Sequence, residues 1–264
     1  MKSNYLSVNP HCLENDSPSS PSLLVERDDY FAEIIRGSEK KPHFNPTTLL
    51  LIVLLVSNGI FSFSQKNYKG KPWDDNIQQI PGKIQCEFYD VGGEGVAYHD
   101  TDSTNNGSGR LNPANGSFLN EFRMNEGVDI SYTKFQDPAI DNSAFNLIEP
   151  EKDQLYTGWT EPGEWINYII RVNKTGNYSI GIMYTASGDG GIALDLDGKP
   201  LTSELKIPST RNDKEPVDWR QWHHWNRIDS LTTVKLKKGV HVITLKTVSH
   251  GNMNYDFLDF KLNQ

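Results

Sequence analysis

The chain has 264 residues, 36% of them hydrophobic and 11% aromatic, which suits one medium globular domain with extensions. Its formal net charge is −8 and no basic stripe interrupts that balance. This argues against a nucleic-acid partner and, on electrostatic grounds, against densely sulfated or carboxylated polymers. Two cysteines, Cys12 and Cys86, leave no disulfide framework, and Cys86 sits in the apolar phase of a strand-like run, as a buried free thiol would.

Residues 1–48 are polar and mixed in charge, with the low-complexity piece Asn15-Asp16-Ser17-Pro18-Ser19-Ser20-Pro21, and read as a disordered extension. Residues 49–64 begin with the apolar run Leu49–Val56. Lys40, Lys41 and His43 precede it, and Ser62-Phe63-Ser64 follows. A basic flank, a short apolar core and a small-residue exit are the parts of a secretory signal, which predicts export and a mature start near Gln65. The run falls short of the roughly 20 residues of a membrane span, so an uncleaved anchor is the second reading. An over-extended start would account for residues 1–39. Residues 65–81, rich in Lys and Asn, read as a linker ending at Pro81-Gly82.

From Ile84 the pattern becomes short strands between turns. Ile84, Cys86 and Phe88 alternate with Gln85, Glu87 and Tyr89. Val128–Tyr132 follows a long Gly/Asn/Ser-rich loop. Trp165–Val172 places Ile166, Tyr168, Ile170 and Val172 on one face, with Trp165 expected as a core aromatic, and Tyr178–Ser187 does the same with Tyr178, Ile180, Ile182 and Tyr184. Ile192–Leu196 runs into a turn at Asp197-Gly198. Thr232–Leu236 and Val240–Val248 read as a hairpin, and Tyr255–Leu262 is the last strand. No long amphipathic helix follows residue 65. Roughly eight to ten short strands make an all-β sandwich.

Catalytic constellations are weak. Glu161 and Glu164 are the nearest thing to a glycosidase pair, but Glu164 stands at a turn entering a strand and nothing places the two about a cleft. There is no Gly-x-Ser-x-Gly elbow and no Gly-rich phosphate loop. His223 and His224 are adjacent, so an extended chain points them opposite ways. Gln85 and Glu87, at i and i+2, share one face of a strand. They suit either an ordinary solvated face or calcium, which takes about six to eight oxygens. The stretch Trp219-Arg220-Gln221-Trp222-His223-His224-Trp225 holds three of the six tryptophans. An indole offers an apolar face and one N–H, which fits a sugar ring as well as a core. A spacing of three cannot send every ring to one side of a strand, so at least one is expected to face outward.

From about Pro81 to Leu262 the sequence resembles the family 6 carbohydrate-binding modules of secreted bacterial polysaccharide-degrading systems. Ile84-Gln85-Cys86-Glu87-Phe88-Tyr89 resembles the opening strand of that family. Gly158-Trp159-Thr160-Glu161-Pro162-Gly163-Glu164-Trp165-Ile166-Asn167-Tyr168 resembles its central signature. Gly176-Asn177-Tyr178, the hairpin Leu236–His241 and Asn254-Tyr255-Asp256-Phe257 follow in the family's order. The resemblance implies a jelly-roll β-sandwich over 82–264, without catalysis of its own, that clamps a sugar between two aromatics in a loop cleft.

Carried over residue by residue, the aromatics are Trp159 and Trp222, with Trp219 as the alternative second ring and Trp225 as the core-side partner. Asn254 is the sugar-binding amide. His99 stands where relatives often have Glu. The structural calcium of the family falls on Gln85, Glu87 and Asp256, with Gln85 in place of a usual Glu. The implied ligands are neutral or weakly charged polysaccharides: β-glucan, xylan, or an algal galactan. The implied setting is the exterior, periplasm or cell surface of a bacterium, as a monomer. The segment Asn105–Gln154 exceeds a minimal member and is positioned to reshape or cover the cleft.

Overall fold

Alternating apolar residues close the chain into two facing sheets. The computed structural model describes residues 68–136 and 139–264, all within one unit, Ile60–Gln264. The readings of residues 1–48 as an extension, of 49–64 as a signal or anchor, and of Cys12 lie outside the described residues. Among the described residues, no helix is long and apolar enough to cross a membrane.

In chain order the strands are β1 (Gln78–Ile80), β2 (Gly82–Gln85), β3 (Tyr98–His99), β4 (Ser108–Gly109), β5 (Asn112–Pro113), β6 (Ile130–Tyr132), β7 (Leu155–Thr160) and β8 (Trp165–Val172). They continue with β9 (Gly176–Ala186), β10 (Gly190–Leu196), β11 (Lys199–Pro200), β12 (Leu205–Ile207), β13 (Asn226–Leu236), β14 (Gly239–Ser249) and β15 (Met253–Leu262). One sheet runs β1-β8-β14-β10-β11, with β3 added to β8 and β12 to β10. The other runs β13-β9-β15-β7-β6, with β2 added to β15. β4 and β5 pair apart from both, and one short helix, α1 (Phe118–Glu121), follows them with Ser117 as its N-cap.

The predicted faces of β8 and β9 meet across the core. Ile166, Tyr168, Ile170 and Val172 are buried, and so are Tyr178, Ile180, Ile182 and Tyr184. Leu194, Ile243, Leu245, Leu258 and Phe260 fill the space between. Each such side chain contributes about 1.5–3 kcal/mol by leaving water. Cys86 is buried and free.

Three expectations are corrected. The stretch read as a linker is part of the sandwich from Tyr68 on: Tyr68 donates to Asp90 Oδ2 at 2.7 Å, Lys71 bridges Val91, and β1 lies parallel to β8. β13 and β14 are consecutive but form no hairpin. β13 pairs with β9 and β14 with β8 and β10, so the turn between them passes from one sheet to the other. Trp165 lies opposite the buried face of β8 and is only half-buried, so it is an outer-face residue and not a core one.

Candidate functional site

β15 organises both clusters of predicted site residues, through two irregularities in its pairing. Against β7, Met253 pairs with Thr160 and Tyr255 with Thr157, so Gly158 and Trp159 together oppose Asn254. This is a β-bulge, a device that re-aims side chains. Trp159 takes φ 50°, a left-handed conformation uncommon outside glycine. It is the single residue of β7 that is not buried. Gly158 must lack a side chain here, because a Cβ would lie 2.8 Å from Asn254 Oδ1.

The bulge brings the Trp159 N–H onto Asn254 Oδ1 at 3.0 Å. The Asn254 amide nitrogen reaches Thr185 Oγ1 at 2.8 Å and His223 Nδ1 at 3.0 Å. His223 Nε2 lies 2.8 Å from Asp141 Oδ1, which also accepts from Trp225 Nε1 at 2.7 Å. Asp141 Oδ2 accepts from the Lys134 backbone N–H at 2.7 Å. Asn254, Asp141, His223 and Trp225 are all buried, and none of the side-chain polar atoms in this set lacks a partner.

The three tryptophans of the 219–225 stretch go three ways. Trp219 is 55% exposed, Trp222 is half-buried and Trp225 is fully buried. Trp222 packs edge-on against His223, with ring centroids 5.6 Å apart, and its carbonyl accepts from the Thr210 hydroxyl. Upstream, Arg220 pairs with the buried Glu215 at 2.9 Å, and that hydrogen bond lowers the Glu215 pKa. The long segment before β7 lies over this stretch. Leu147 and Ile148 donate to the Trp225 carbonyl, and Asn146 Oδ1 accepts from Trp225 N at 3.0 Å. His223 and His224 diverge as expected. His224 packs on Phe145 at 5.4 Å with both ring nitrogens unpartnered, and burial lowers its pKa.

Trp159 and Trp222 are therefore brought to one end of the sandwich, joined through Asn254 and His223. Asn254 is corrected: its amide lies beneath this surface with both ends engaged, so it is not presented to a ligand. His99 is not part of this hydrogen-bonded chain. It pairs with Glu94 Oε1 at 2.5 Å, which raises its pKa, and faces Trp165 at 6.3 Å. With Gly158 and Glu164 it lines a cavity of about 10 Å³, room for one water. Glu164 accepts from the Thr101 N–H, the Thr101 hydroxyl and the Glu161 N–H, which makes it a loop anchor. Asp141 and Asn146 escaped the sequence reading because they sit in a loop without periodicity. His223 was noticed there only as half of a poor chelating pair.

The second irregularity lies two residues on. Against β9, Tyr255 pairs with Tyr184 and Phe257 with Met183, which makes Asp256 the extra residue. β2 ends at Gln85, and a turn follows, so Gln85 and Glu87 do not share a solvated strand face. Glu87 is 1% exposed and Asp256 2%. Gln85 Oε1, Glu87 Oε2 and Asp256 Oδ1 are each buried without a hydrogen-bond partner. Glu87 Oε1 accepts from Gln154 Nε2 at 3.1 Å. Burial drives the Glu87 pKa well above the carboxylate range, and the Asp256 charge adds to this. Burial likewise pushes Asp256 up to about 7, against a downward pull from Lys83. A cavity of about 160 Å³ beside them is lined by Gln85, Asp256, Glu149, Glu151 and Gln154. Among the described residues no three His, Cys, Asp or Glu side chains cluster as metal ligands, so one of the three oxygens here comes from an amide. Three bare oxygens with two carboxyls held back from ionising fit a hard cation such as calcium.

No curated protein matches the chain. Among solved structures it is similar to the C-terminal family 6 module of a marine laminarinase from Zobellia galactanivorans, with 24% identity over 41% of this chain and 81% of that one and a TM-score of 0.33. It is also similar to a β-1,3-glucan-binding family 6 module from Bacillus halodurans (15% identity, 70% and 99% coverage, TM-score 0.39). A third is a family 6 module of Clostridium stercorarium in complex with cellobiose (13% identity, 71% and 98% coverage, TM-score 0.42). The model of the carbohydrate binding module (family 6) matches residues 139–264, and this match identifies that part of the chain as a member of the family.

Proposed function

We propose that this protein is an exported, non-catalytic module that binds polysaccharide, holding a sugar ring between Trp159 and Trp222. The observation that carries the reading is the pair of half-buried tryptophans at one end of the sandwich, one on a bulge and one on a loop, tied together from behind. Indole faces suit the C–H faces of a neutral sugar, and a rigid scaffold under loops is where ligand specificity resides. Trp219, exposed on the surface, is the reserve partner. The proposed ligand class is neutral or weakly charged polysaccharide, such as β-glucan, xylan or an algal galactan. The ligands named for the related modules, β-1,3-glucan and cellobiose, are the first to try.

Gln85, Glu87 and Asp256 would hold a structural calcium, whose charge would satisfy the bare oxygens and keep both carboxylates ionised. The leader at 49–64 would route the chain out of the cell.

Affinity electrophoresis in laminarin, xylan and agarose gels tests the binding. Trp159→Ala and Trp222→Ala are each expected to weaken it by at least about thirtyfold, the usual cost of a central aromatic anchor, without changing the melting temperature. Full affinity in Trp222→Ala moves the site to Trp219. Release of reducing sugar by the purified protein would instead make it a hydrolase.

A further inference from the structure

The relay behind the two tryptophans has a fixed polarity. Its origin is the backbone N–H of Trp159, which can only donate, so the Asn254 atom facing it must be oxygen. The amide NH₂ then points the other way, to Thr185 Oγ1 and His223 Nδ1. Nδ1 must therefore accept, which leaves the proton on Nε2, donated to Asp141 Oδ1.

We infer that His223 and Asn254 are positioning residues that lock the Trp159 bulge to the Trp222 loop only while His223 is the neutral Nε2–H tautomer, so that acidification releases the glycan site. This rests on Trp159 and Trp222 being that site. A second ring proton would sit on Nδ1, facing the Asn254 NH₂ at 3.0 Å, donor against donor. Turning the amide over repairs that contact but aims its NH₂ at the Trp159 N–H, so the conflict only moves along the chain. The other groups around the ring are Asp141 from the covering segment, Tyr156 from β7 at 5.8 Å, Thr185 from β9 through Asn254, and Trp222 and Trp225 on its own stretch. The neighbouring His224 lies with Glu215 and Arg220. Asp141 is the group that favours a charged ring. Asn254 opposes it, and Asn254 is the link that holds Trp159.

The test uses the full chain labelled with ¹⁵N. At about pH 8 the His223 ring is expected to show the neutral Nε2–H pattern. On acidification, the Trp159 amide signal should move in step with protonation of the His223 ring. Laminarin affinity should fall by roughly tenfold in step with that same ring signal, the worth of about one buried hydrogen bond. His223→Asn, which keeps an acceptor near Nδ1 and cannot titrate, should lose the pH step in the Trp159 amide signal, whatever its affinity at pH 8. Asn254→Asp, which accepts on both sides, should reverse it and bind better in acid. An Nδ1–H or charged ring at pH 8, or a Trp159 amide that ignores the His223 titration, overturns the inference. Both of those readouts use the native chain and need no variant to fold. If the native chain binds no glycan at any pH, the binding reading fails, while the NMR result still decides the relay.

Discussion

Asn254 and Asp256 lie two residues apart on β15, each beside a bulge and each almost free of solvent. Their surroundings differ in one respect. Around Asn254 every donor meets an acceptor, from the Trp159 backbone through His223 to Asp141 and Trp225. Around Asp256 three oxygens meet nothing, and two carboxyls are pushed toward protonation by burial. A satisfied polar network fixes geometry by itself, whereas a buried polar group without a partner costs about 1–3 kcal/mol. The first cluster is a finished support for a surface; the second is left open, and on the proposed reading a cation would complete it.

The sharpest way to break the comparison is Asp141→Ala. It removes the acceptor of three buried donors, from Trp225, His223 and Lys134. Urea unfolding should show a loss of about 3–5 kcal/mol, with the response to calcium intact. A loss below about 1 kcal/mol would mean that the network carries little of the fold.

Calcium comes next. A ligand of the native state stabilises by about 2.7 kcal/mol at one hundred times its dissociation constant, so a chelator should lower the melting temperature and calcium restore it. The pH dependence has a definite sign. In the metal-free fold Asp256 titrates near 7, above an unfolded value of about 3.9, so the native state holds the extra proton. That contribution to stability is present at acidic pH and is lost as pH rises toward 7. Asp90, Asp100 and Asp129, raised by burial to about 6, 7 and 6, act in the same direction. Calcium bound there would compete with the proton for the Asp256 carboxylate, so the melting-temperature gain it confers should grow from about pH 5 to pH 8. A gain that shrinks over this range would place the ion elsewhere.

Asp256→Asn separates the two roles of that carboxyl. At pH 8 the metal-free variant should be more stable than the native protein, on the order of 1–2 kcal/mol, because a desolvated charge is gone. Its calcium response should vanish. Destabilisation without calcium would mean that the carboxylate has a partner inside the protein. The smallest effect is expected from Trp165→Ala, which lies outside both clusters. A half-buried outer ring is expected to cost about 1 kcal/mol in thermal unfolding, well under the 3–5 kcal/mol of a core tryptophan such as Trp225.

The strands of the sandwich were legible wherever apolar residues alternate over several positions, as in β8 and β9. What periodicity could not carry was partnership. It placed β13 and β14 side by side although they belong to different sheets, and it passed over β1, whose three residues show no pattern. The site residues followed the same division. Gln85, Glu87 and Asp256 could be named as a group from motif positions, and Trp225 could be assigned to the core. Asn254 was placed at the surface because the Gly158-Trp159 bulge, which sets its amide beneath Trp159, depends on a strand nearly a hundred residues away. Asp141 had no local signal at all; its importance comes from the three donors that converge on it.

β15 also fixes when this protein can fold. It pairs with β9, β7 and β2, and it leaves the ribosome after every other strand of the sandwich. Until residue 262 has emerged, β7 and β9 lack the strand between them and the core wall of Leu258 and Phe260 is missing. Contacts so distant in sequence form slowly, because the loops they close must be ordered first. The sandwich therefore cannot close before β15 has been made, and until then the apolar strands beside it lack their partner.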